Sequence, residues 1–252
     1  MQTKIIYEDE EILIIQKPAG LATQAKGVGQ KDVVSELKSY LHKTTGKTPY
    51  VGIVHRLDQP VEGLLVFGKN QVATAKLSQE LKNGQLNKKY YAVICGQPNK
   101  TQGRLVDDMY KSKDNVAVIV EKGDSISSKD KTMTEFGTNT KKEPKTNTET
   151  EVKKASLIYD ILYKEDTYAI ADVILQTGRF HQIRAQFSHA GFPLLGDRKY
   201  GTEESLELSQ KLHVKNVALC AYEINVKHPK TGKDLCFRIK PEGKIFANIL
   251  TE

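Results

Sequence analysis

The sequence favours a fold of the α+β class, and three observations support this interpretation. Short apolar or alternating runs typical of β-strands recur along the chain. They lie at residues 4–7, 11–16, 53–54, 64–67, 88–96, 157–163 and 168–175. Two other stretches, residues 31–42 and 72–81, repeat apolar side chains at intervals of three and four, as amphipathic helices do. The length of 252 residues and a hydrophobic content of 38% suit one large domain with a buried core.

Charge and cysteine content narrow the classes of protein. Lys and Arg number 38 against 31 Asp and Glu, and a net charge of +7 favours a polyanionic partner. Cys95, Cys220 and Cys236 form no Cys-x-x-Cys pair, which argues against a disulfide framework or a structural zinc site. The sequence shows neither a signal-like apolar region near residue 1 nor a run of about 20 apolar residues. We therefore predict a cytoplasmic protein without a membrane partner, and a monomer as the default state.

The first two strands enclose an acidic turn, and the second strand leads into Lys17-Pro18-Ala19-Gly20. A strand that ends in Lys-Pro-x-Gly forms a rigid turn and can present its lysine at the edge of a cleft. An ordinary connecting loop is the alternative. In the helix that follows, at residues 31–42, the apolar stripe faces the core and the lysines occupy the solvated face.

The next two apolar runs, at residues 53–54 and 64–67, enclose His55, Arg56 and Asp58. A carboxylate beside an arginine at the end of a strand is an expensive placement, because burying an ion costs several kcal/mol unless a partner is close. Two interpretations are open from these residues alone. Asp58 is either half of a structural pair that ties down a loop, or a carboxylate aimed into a cleft as nucleophile or base.

Residues 70–96 are predicted to form a helix followed by a strand. Asn70 is a predicted N-cap for that helix, which Gly84 ends. In the strand, the two-residue period of β structure puts Lys88 and Tyr90 on one face and Tyr91 on the other. A tyrosine in a strand is usually a core residue, and this remains the simplest interpretation without further information.

The composition changes at about residues 121–154, where polar and charged residues dominate. Such a segment cannot bury enough apolar surface to offset the entropy lost on ordering. We therefore predict a mobile insertion between strands, longer than the loops of a compact domain normally are.

The strand at residues 168–175 leads into Thr177-Gly178-Arg179-Phe180-His181-Gln182-Ile183-Arg184. Two arginines that flank His181 and Gln182 suit contacts with anions, because guanidinium donates in a fixed fork to phosphate or carboxylate. A solvated surface loop is the alternative. His189 and His213 have no carboxylate or cysteine at ligand spacing, so no metal site is predicted.

Together, the motifs of this chain resemble those of the RluA-type pseudouridine synthases. The resemblance covers almost the whole chain outside the polar segment. It rests on Lys17-Pro18-x-Gly20, His55-Arg56-Leu57-Asp58 with Gly63-Leu64-Leu65, Lys88-x-Tyr90, the string from Thr177 to Arg184, Gly196-Asp197-x-x-Tyr200-Gly201 and His228-Pro229-x-Thr231-Gly232. It implies a mixed, largely antiparallel central sheet with flanking helices and a central cleft.

The resemblance also implies an activity, the isomerisation of uridine to pseudouridine in rRNA or tRNA, without a cofactor or metal. It makes Asp58 the catalytic nucleophile, Tyr90 the side chain against the target base, and Arg184 the partner of Asp58. Further candidates for contacts with RNA or substrate are His55, Arg56, Lys17, Arg179, His181 and Gln182. His228 is predicted to be a turn residue.

Three departures from the family pattern keep alternatives open. Val61-Glu62 stand where the family usually has Thr-Ser or Val-Ser, which adds an acid close to the expected path of the RNA backbone. Gln186 replaces a frequent histidine. The sequence also leaves no room for the S4-like domain that family members often carry ahead of these motifs. A catalytically silent RNA-binding protein on the same fold is therefore one alternative. A glycoside hydrolase that pairs Asp58 with Glu62 is another, and a retaining pair would have to stand roughly 5–5.5 Å apart.

Overall fold

The computed structural model describes residues 1–25, 27, 29–46, 48–120 and 151–249. In chain order its elements are β1 (Lys4–Glu8), β2 (Ile12–Lys17), α1 (Val33–Thr45), β3 (Gly52–Ile53), β4 (Glu62–Gly68), α2 (Gln71–Lys82), β5 (Asn87–Cys95), β6 (Gln102–Lys111), β7 (Ala117–Val120), β8 (Lys153–Lys164), β9 (Tyr168–Leu175), α3 (Gln182–His189), α4 (Glu203–Lys211), β10 (Leu219–Lys227), β11 (Asp234–Arg238) and a 3₁₀-helix (Lys244–Ile249).

Within these ranges the strands form one sheet of eleven, ordered β1-β2-β4-β10-β5-β9-β8-β6-β7, with β3 paired to β4 and β11 to β10. The contact between β10 and β4 is parallel, while the other pairs of strands are antiparallel. The predicted α+β fold with a mixed, largely antiparallel sheet is confirmed. None of the helices in the described ranges is long and apolar enough to cross a bilayer.

Both helices predicted from periodicity are present, and their caps explain where they begin. The Asp32 carboxylate accepts a hydrogen bond from the Ser35 amide at 2.7 Å, and the Ser35 hydroxyl accepts one from the Asp32 amide at 3.1 Å. This reciprocal pair is a capping box for α1. Asn70 caps α2 as predicted, because its side chain accepts from the Ala73 amide at 2.8 Å.

Residues 121–150, which make up most of the predicted polar insertion, lie outside the described residues. Two strands correct the predictions made from sequence. Lys153 and Lys154, assigned to that insertion from composition, are the first residues of β8. β6 alternates between exposed and half-buried residues for most of its length, and its charged side chains hide its strand character from an apolar-run criterion.

The apolar side chains form core clusters on both faces of the sheet. Leu65 and Phe67 of β4 pack with Val33 and Leu37 of α1, whereas Leu64 of β4 packs with residues of α2 on the opposite side. The alternation along β4 therefore divides the core into two layers. Tyr90 of β5 and residues of α3 belong to the first layer, together with Leu57 and Val61 from the loop that contains Asp58.

Gly63 determines how closely β4 approaches β10. Its φ is +129°, and a Cβ at this position would lie 2.4 Å from the Ala221 amide nitrogen. Only glycine therefore lets β4 come this close to β10. Ala221 is in register with Gly63 on one side and with Tyr90 on the other. The close approach places the loop before β4 opposite Tyr90.

Candidate active site

Asp58 lies in the loop between β3 and β4, and hydrogen bonds hold this loop from several sides. The Val61 amide donates to the Asp58 carbonyl at 3.1 Å and closes the turn. The Thr23 hydroxyl donates to the Leu57 carbonyl at 2.8 Å and accepts from the Leu57 amide at 3.2 Å. The Lys17 ammonium donates to the Gln59 carbonyl at 3.1 Å. The backbone that presents Asp58 is therefore fixed before any substrate arrives.

Arg184, in the first turns of α3, joins two carboxylates. Its Nη1 donates to Asp58 Oδ2 at 2.8 Å, while Nε and Nη2 donate to the two oxygens of Asp197 at 2.7 and 2.8 Å. Asp197 is fully buried and Arg184 nearly so. Burial alone would lower the pKa of Arg184, but the hydrogen bonds and charges of Asp197 and Asp58 raise that pKa above its usual value. The guanidinium is a permanent cation with a fixed orientation.

The two oxygens of the Asp58 carboxylate have different surroundings. Oδ2 is shared by Arg184 Nη1 and by His181 Nε2, which lies 3.5 Å away. In the described part of the chain no hydrogen bond reaches Oδ1, and the Asp58 side chain keeps a relative accessibility of 25%. One oxygen is therefore anchored, while the other is available to a substrate atom.

Tyr90 stands beside this carboxylate at the edge of the core. Its side chain is buried, in the same cluster as Leu57 and Val61 of the Asp58 loop. Burial, together with the charge of Asp58, raises the pKa of the Tyr90 hydroxyl. The hydroxyl therefore stays neutral near the carboxylate.

His181 belongs to the same group of side chains. Its Nδ1 lies 2.7 Å from the Tyr200 hydroxyl, and its ring stacks on Phe180 with centroids 3.7 Å apart. Burial lowers the pKa of His181 to about 4, although the charge of Asp58 opposes this effect. The imidazole is therefore neutral near pH 7. The structure thus brings together four of the predicted residues, namely Asp58, Tyr90, Arg184 and His181.

Two other predicted residues have positions that suit contact with RNA. Arg56 is exposed beside the Asp58 loop. Arg179 is also exposed, and its Nε donates to the Lys154 carbonyl at 3.0 Å, which leaves the end of the guanidinium available. Arg56 is two residues before Asp58, and Arg179 is five residues before Arg184, which contacts Asp58. Their roles stay predictions.

Lys17 does not have the position expected of a phosphate contact. Its side chain is fully buried, and its ammonium donates to the carbonyls of Pro18, Leu21 and Gln59 at 3.0, 2.6 and 3.1 Å. Burial lowers the pKa of Lys17 to about 7, against the influence of Asp58 and Glu62. Because its three N–H groups are occupied by main-chain oxygens, Lys17 supports the loop instead of facing RNA.

His55 and Gln182 are corrected in the same way, since both side chains are buried. His55 Nε2 accepts from the Val66 amide at 3.4 Å, and burial holds the pKa of His55 well below its usual value. Gln182 accepts from the Thr177 hydroxyl and the Arg179 amide at 2.8 and 2.9 Å. It shapes the loop that carries Arg179 and does not itself face solvent.

The family departures at Glu62 and Gln186 also have structural explanations. Glu62 is buried, and its carboxylate accepts from the amides of Glu242 and Gly243 at 3.0 and 3.3 Å. Its carboxylate therefore holds a segment late in the chain and is occupied by main-chain donors. Gln186 donates to Asp107 at 2.6 Å in a buried position. His228 is a turn residue, as predicted, because its Nδ1 accepts from the amides of Lys230 and Thr231.

Two residues of the site had no role assigned from sequence. Asp197 holds Arg184, and its Oδ1 also accepts from the amides of Lys199 and Tyr200 at 3.0 and 3.2 Å. Tyr200 in turn contacts His181. The signal for both was the Gly-Asp-x-x-Tyr-Gly motif together with the need of a buried arginine for a second anionic partner.

Comparisons with known proteins identify relatives of this chain. The sequence model of a family described as RNA pseudouridylate synthase matches residues 11–189. The ribosomal large subunit pseudouridine synthase C of Rickettsia bellii is 33% identical over 219 residues, which cover 85% of this chain and 63% of that protein. The corresponding synthase D of Pasteurella multocida is 30% identical over 239 residues, with coverages of 91% and 64%. The chain thus spans somewhat less than two thirds of these relatives.

Solved structures show the same fold. Human RNA pseudouridylate synthase domain containing 4 superposes with a TM-score of 0.69 at 19% identity, over 97% of this chain and 90% of that one. Human RNA pseudouridylate synthase domain containing 1 gives a TM-score of 0.66 at 16% identity, with coverages of 95% and 83%.

Proposed function

The chain belongs to the RNA pseudouridylate synthase family, and we propose that it isomerises specific uridines of structured RNA to pseudouridine with Asp58 as nucleophile. The observation that carries the proposal is the Asp58 carboxylate itself. Arg184 donates to one oxygen at 2.8 Å, Tyr90 belongs to the same cluster as Leu57 and Val61 of the Asp58 loop, and no hydrogen bond from a described residue reaches the other oxygen.

This arrangement supplies what the reaction needs. The bond between N1 and C1′ of uridine breaks, the uracil turns, and a new bond joins C5 to C1′. C5 then loses its proton to water and N1 gains one. The atoms and electrons of the nucleotide balance without an oxidant or an energy source. A carboxylate near the sugar can add to C1′ or take the proton from C2′. Arg184 keeps that carboxylate oriented, and Tyr90 offers a flat apolar surface against which a detached base can turn.

We favour large-subunit rRNA as the substrate, since the relatives named above are ribosomal large subunit pseudouridine synthases. Transfer RNA is the second candidate. The target uridine must leave its stack to reach Asp58, which costs a few kcal/mol and least in loops. Contacts of Arg56 and Arg179 with phosphates would offset this cost. A single catalytic domain at residues 1–252 and a cytoplasmic monomer remain our predictions.

The alternative of a silent RNA-binding protein loses one of its two supports. That support was Glu62 as an acid in the RNA path, and Glu62 is instead bound to the backbone of residues 242–243. The intact group of Asp58, Arg184 and Tyr90 favours a catalyst. The hydrolase alternative is disfavoured for the same reason, because the Glu62 carboxylate is occupied.

Tritium release tests the proposal. Unmodified transcripts of large-subunit rRNA and of tRNA, labelled with tritium at C5 of uridine, would be incubated with the full chain. We expect release to water from the rRNA transcript, since C5 loses its hydrogen when it bonds to C1′. Absence of release from both pools, with salt-sensitive RNA binding retained, would favour the binding-protein alternative.

The salt dependence of RNA binding distinguishes the exposed arginines from the buried lysine. We predict that Arg56→Gln and Arg179→Gln each make the negative slope of log K against log salt less steep by about 0.7–0.9, because each removes one phosphate contact. Fluorescence anisotropy with an rRNA fragment at several salt concentrations measures this slope.

Lys17→Met is the control, because it removes a basic side chain that is buried and donates to main-chain carbonyls. It should leave the salt slope unchanged and instead lower the free energy of unfolding by about 1–3 kcal/mol, because buried carbonyls lose their donor. Urea unfolding gives that value. If Lys17→Met changed the slope as much as the arginine variants do, the prediction that Lys17 contacts a phosphate would be supported after all.

A further inference from the structure

The hydrogen-bond chain that begins at Ala117 determines where the proton of His181 resides. The Ala117 amide can only donate, so the Tyr200 hydroxyl oxygen accepts this bond at 2.7 Å. The hydroxyl has one proton of its own, and His181 Nδ1 at 2.7 Å is the acceptor that the described residues offer. The Tyr200 proton finds this acceptor only when Nδ1 is the unprotonated nitrogen, and a neutral imidazole then carries its single N–H on Nε2. The contact with Tyr200 therefore favours the Nε2–H tautomer.

The opposite side of the ring selects the same tautomer. Nε2 lies 3.5 Å from Asp58 Oδ2, so an N–H at this atom places a partial positive charge beside a carboxylate oxygen. The other tautomer would oppose a lone pair to that carboxylate and leave the Tyr200 proton without this acceptor. Both neighbours thus favour a neutral His181 that donates from Nε2.

The ring is also kept neutral by its surroundings. Burial is the main cause of its low pKa, and the cations Arg184 and Lys199 lower the pKa further, while Asp58 and Asp197 raise it. A third cation, Lys111, lies 4.7 Å from the Phe180 ring, on which His181 stacks. These groups face His181 from the Asp58 loop, from α3, from the residues before α4 and from β6.

The backbone at His181 supports a functional interpretation. Its φ is 53°, in the left-handed region that a non-glycine residue enters at some energetic cost. Glycine would adopt this conformation at lower cost, which suggests that the imidazole side chain itself is needed at this position. The His181 side chain makes no capping hydrogen bond to α3, although His181 is the N-cap residue of that helix. The two ring nitrogens instead lie next to Tyr200 and Asp58.

From this geometry we propose that the Tyr200–His181 pair positions the nucleophile: Tyr200 fixes the tautomer of His181, whose Nε2–H holds Asp58 Oδ2 so that Oδ1 is the reacting oxygen. The proposal rests on the proposed function for its catalytic consequence. A neutral donor orients the carboxylate without adding a second cation that would weaken its nucleophilicity. His181 acts through Asp58 and is therefore a positioning residue.

Kinetics of tritium release form the first test. His181→Ala should lower kcat by about 100-fold and Tyr200→Phe by about 10-fold, since loss of orientation in a reacting group has effects of this size. KM for the RNA should change by less than about twofold, because in this proposal both side chains act on Asp58 and not on the RNA. His181→Gln should recover part of the activity, since its amide N–H can reach the same carboxylate oxygen. Wild-type kcat in His181→Ala would overturn the proposal.

A spectroscopic test does not depend on activity. The ¹⁵N shifts of His181 in histidine-labelled protein report which nitrogen is protonated. We expect the Nε2–H form in the wild-type chain, and a mixture of tautomers with a raised His181 pKa in Tyr200→Phe, because the bond that favours the neutral ring is lost. A wild-type Nδ1–H form would overturn the proposal. If wild-type protein releases no tritium while these shifts are as expected, the proposed function fails and the assignment of the tautomer stands.

Discussion

Asp58→Asn should abolish tritium release from RNA, with a loss on the order of 10⁴-fold or more in kcat, as expected for removal of a nucleophile. The amide has nearly the shape of the carboxylate, and its oxygen can still accept the bond from Arg184. It cannot attack C1′ or take the C2′ proton, because it lacks the negative charge. Single-turnover assays with excess enzyme measure this loss without interference from slow product release.

The same variant should bind RNA as the wild type does. Asp58 is partly exposed, and the bonds that hold its loop come from Thr23, Lys17 and the backbone of Val61, all of which remain. Asp166→Asn, at an exposed turn between β8 and β9, is the matched control for loss of one negative charge and should keep full activity. Activity of Asp58→Asn within tenfold of the wild type would remove Asp58 from the role of nucleophile.

Local patterns predicted the elements well, because strand and helix periods depend on neighbouring residues. The two-residue period placed Tyr90 and Tyr91 on opposite faces, and the structure agrees: Tyr90 lies in the core layer with the Asp58 loop, whereas Tyr91 stacks on Tyr222. The pair of Asp58 and Arg184 was implied by the family resemblance and not by any pattern within the chain. Its atoms are 2.8 Å apart across 126 positions of sequence.

Burial of polar residues could not be predicted, because their partners are distant in sequence. Lys17 meets a carbonyl 42 positions away, and Glu62 meets an amide 180 positions away. A lysine in a turn and an acid after a proline look exposed when only their neighbours are considered. Motif residues such as Lys17, His55 and Gln182 were therefore assigned to the cleft, although the structure uses them to build the frame around it.

Arg184 contacts both the buried Asp197 and the proposed nucleophile Asp58, and its replacement is expected to cause the largest loss of stability. Arg184→Met leaves the fully buried Asp197 without its cation, and removing one partner of a buried pair costs about 3–5 kcal/mol. Activity should fall as well, because Asp58 loses its anchor. Arg184→Lys should not restore either property fully, since an ammonium cannot hold Asp197 with two parallel bonds while contacting Asp58. Urea unfolding and tritium release measure the two effects.

A second substitution separates the effect on stability from the effect on activity. When Arg184→Met is combined with Asp197→Asn, the buried charge is gone, and the amide oxygen of the new side chain can still accept from the amides of Lys199 and Tyr200, as the Asp197 carboxylate does. We expect this double variant to regain most of the lost unfolding free energy but none of the lost activity, because the cation that orients Asp58 is still missing. Recovery of tritium release together with stability would mean that Arg184 matters only for folding. Recovery of stability alone would assign the guanidinium two independent functions, one toward Asp197 and one toward Asp58.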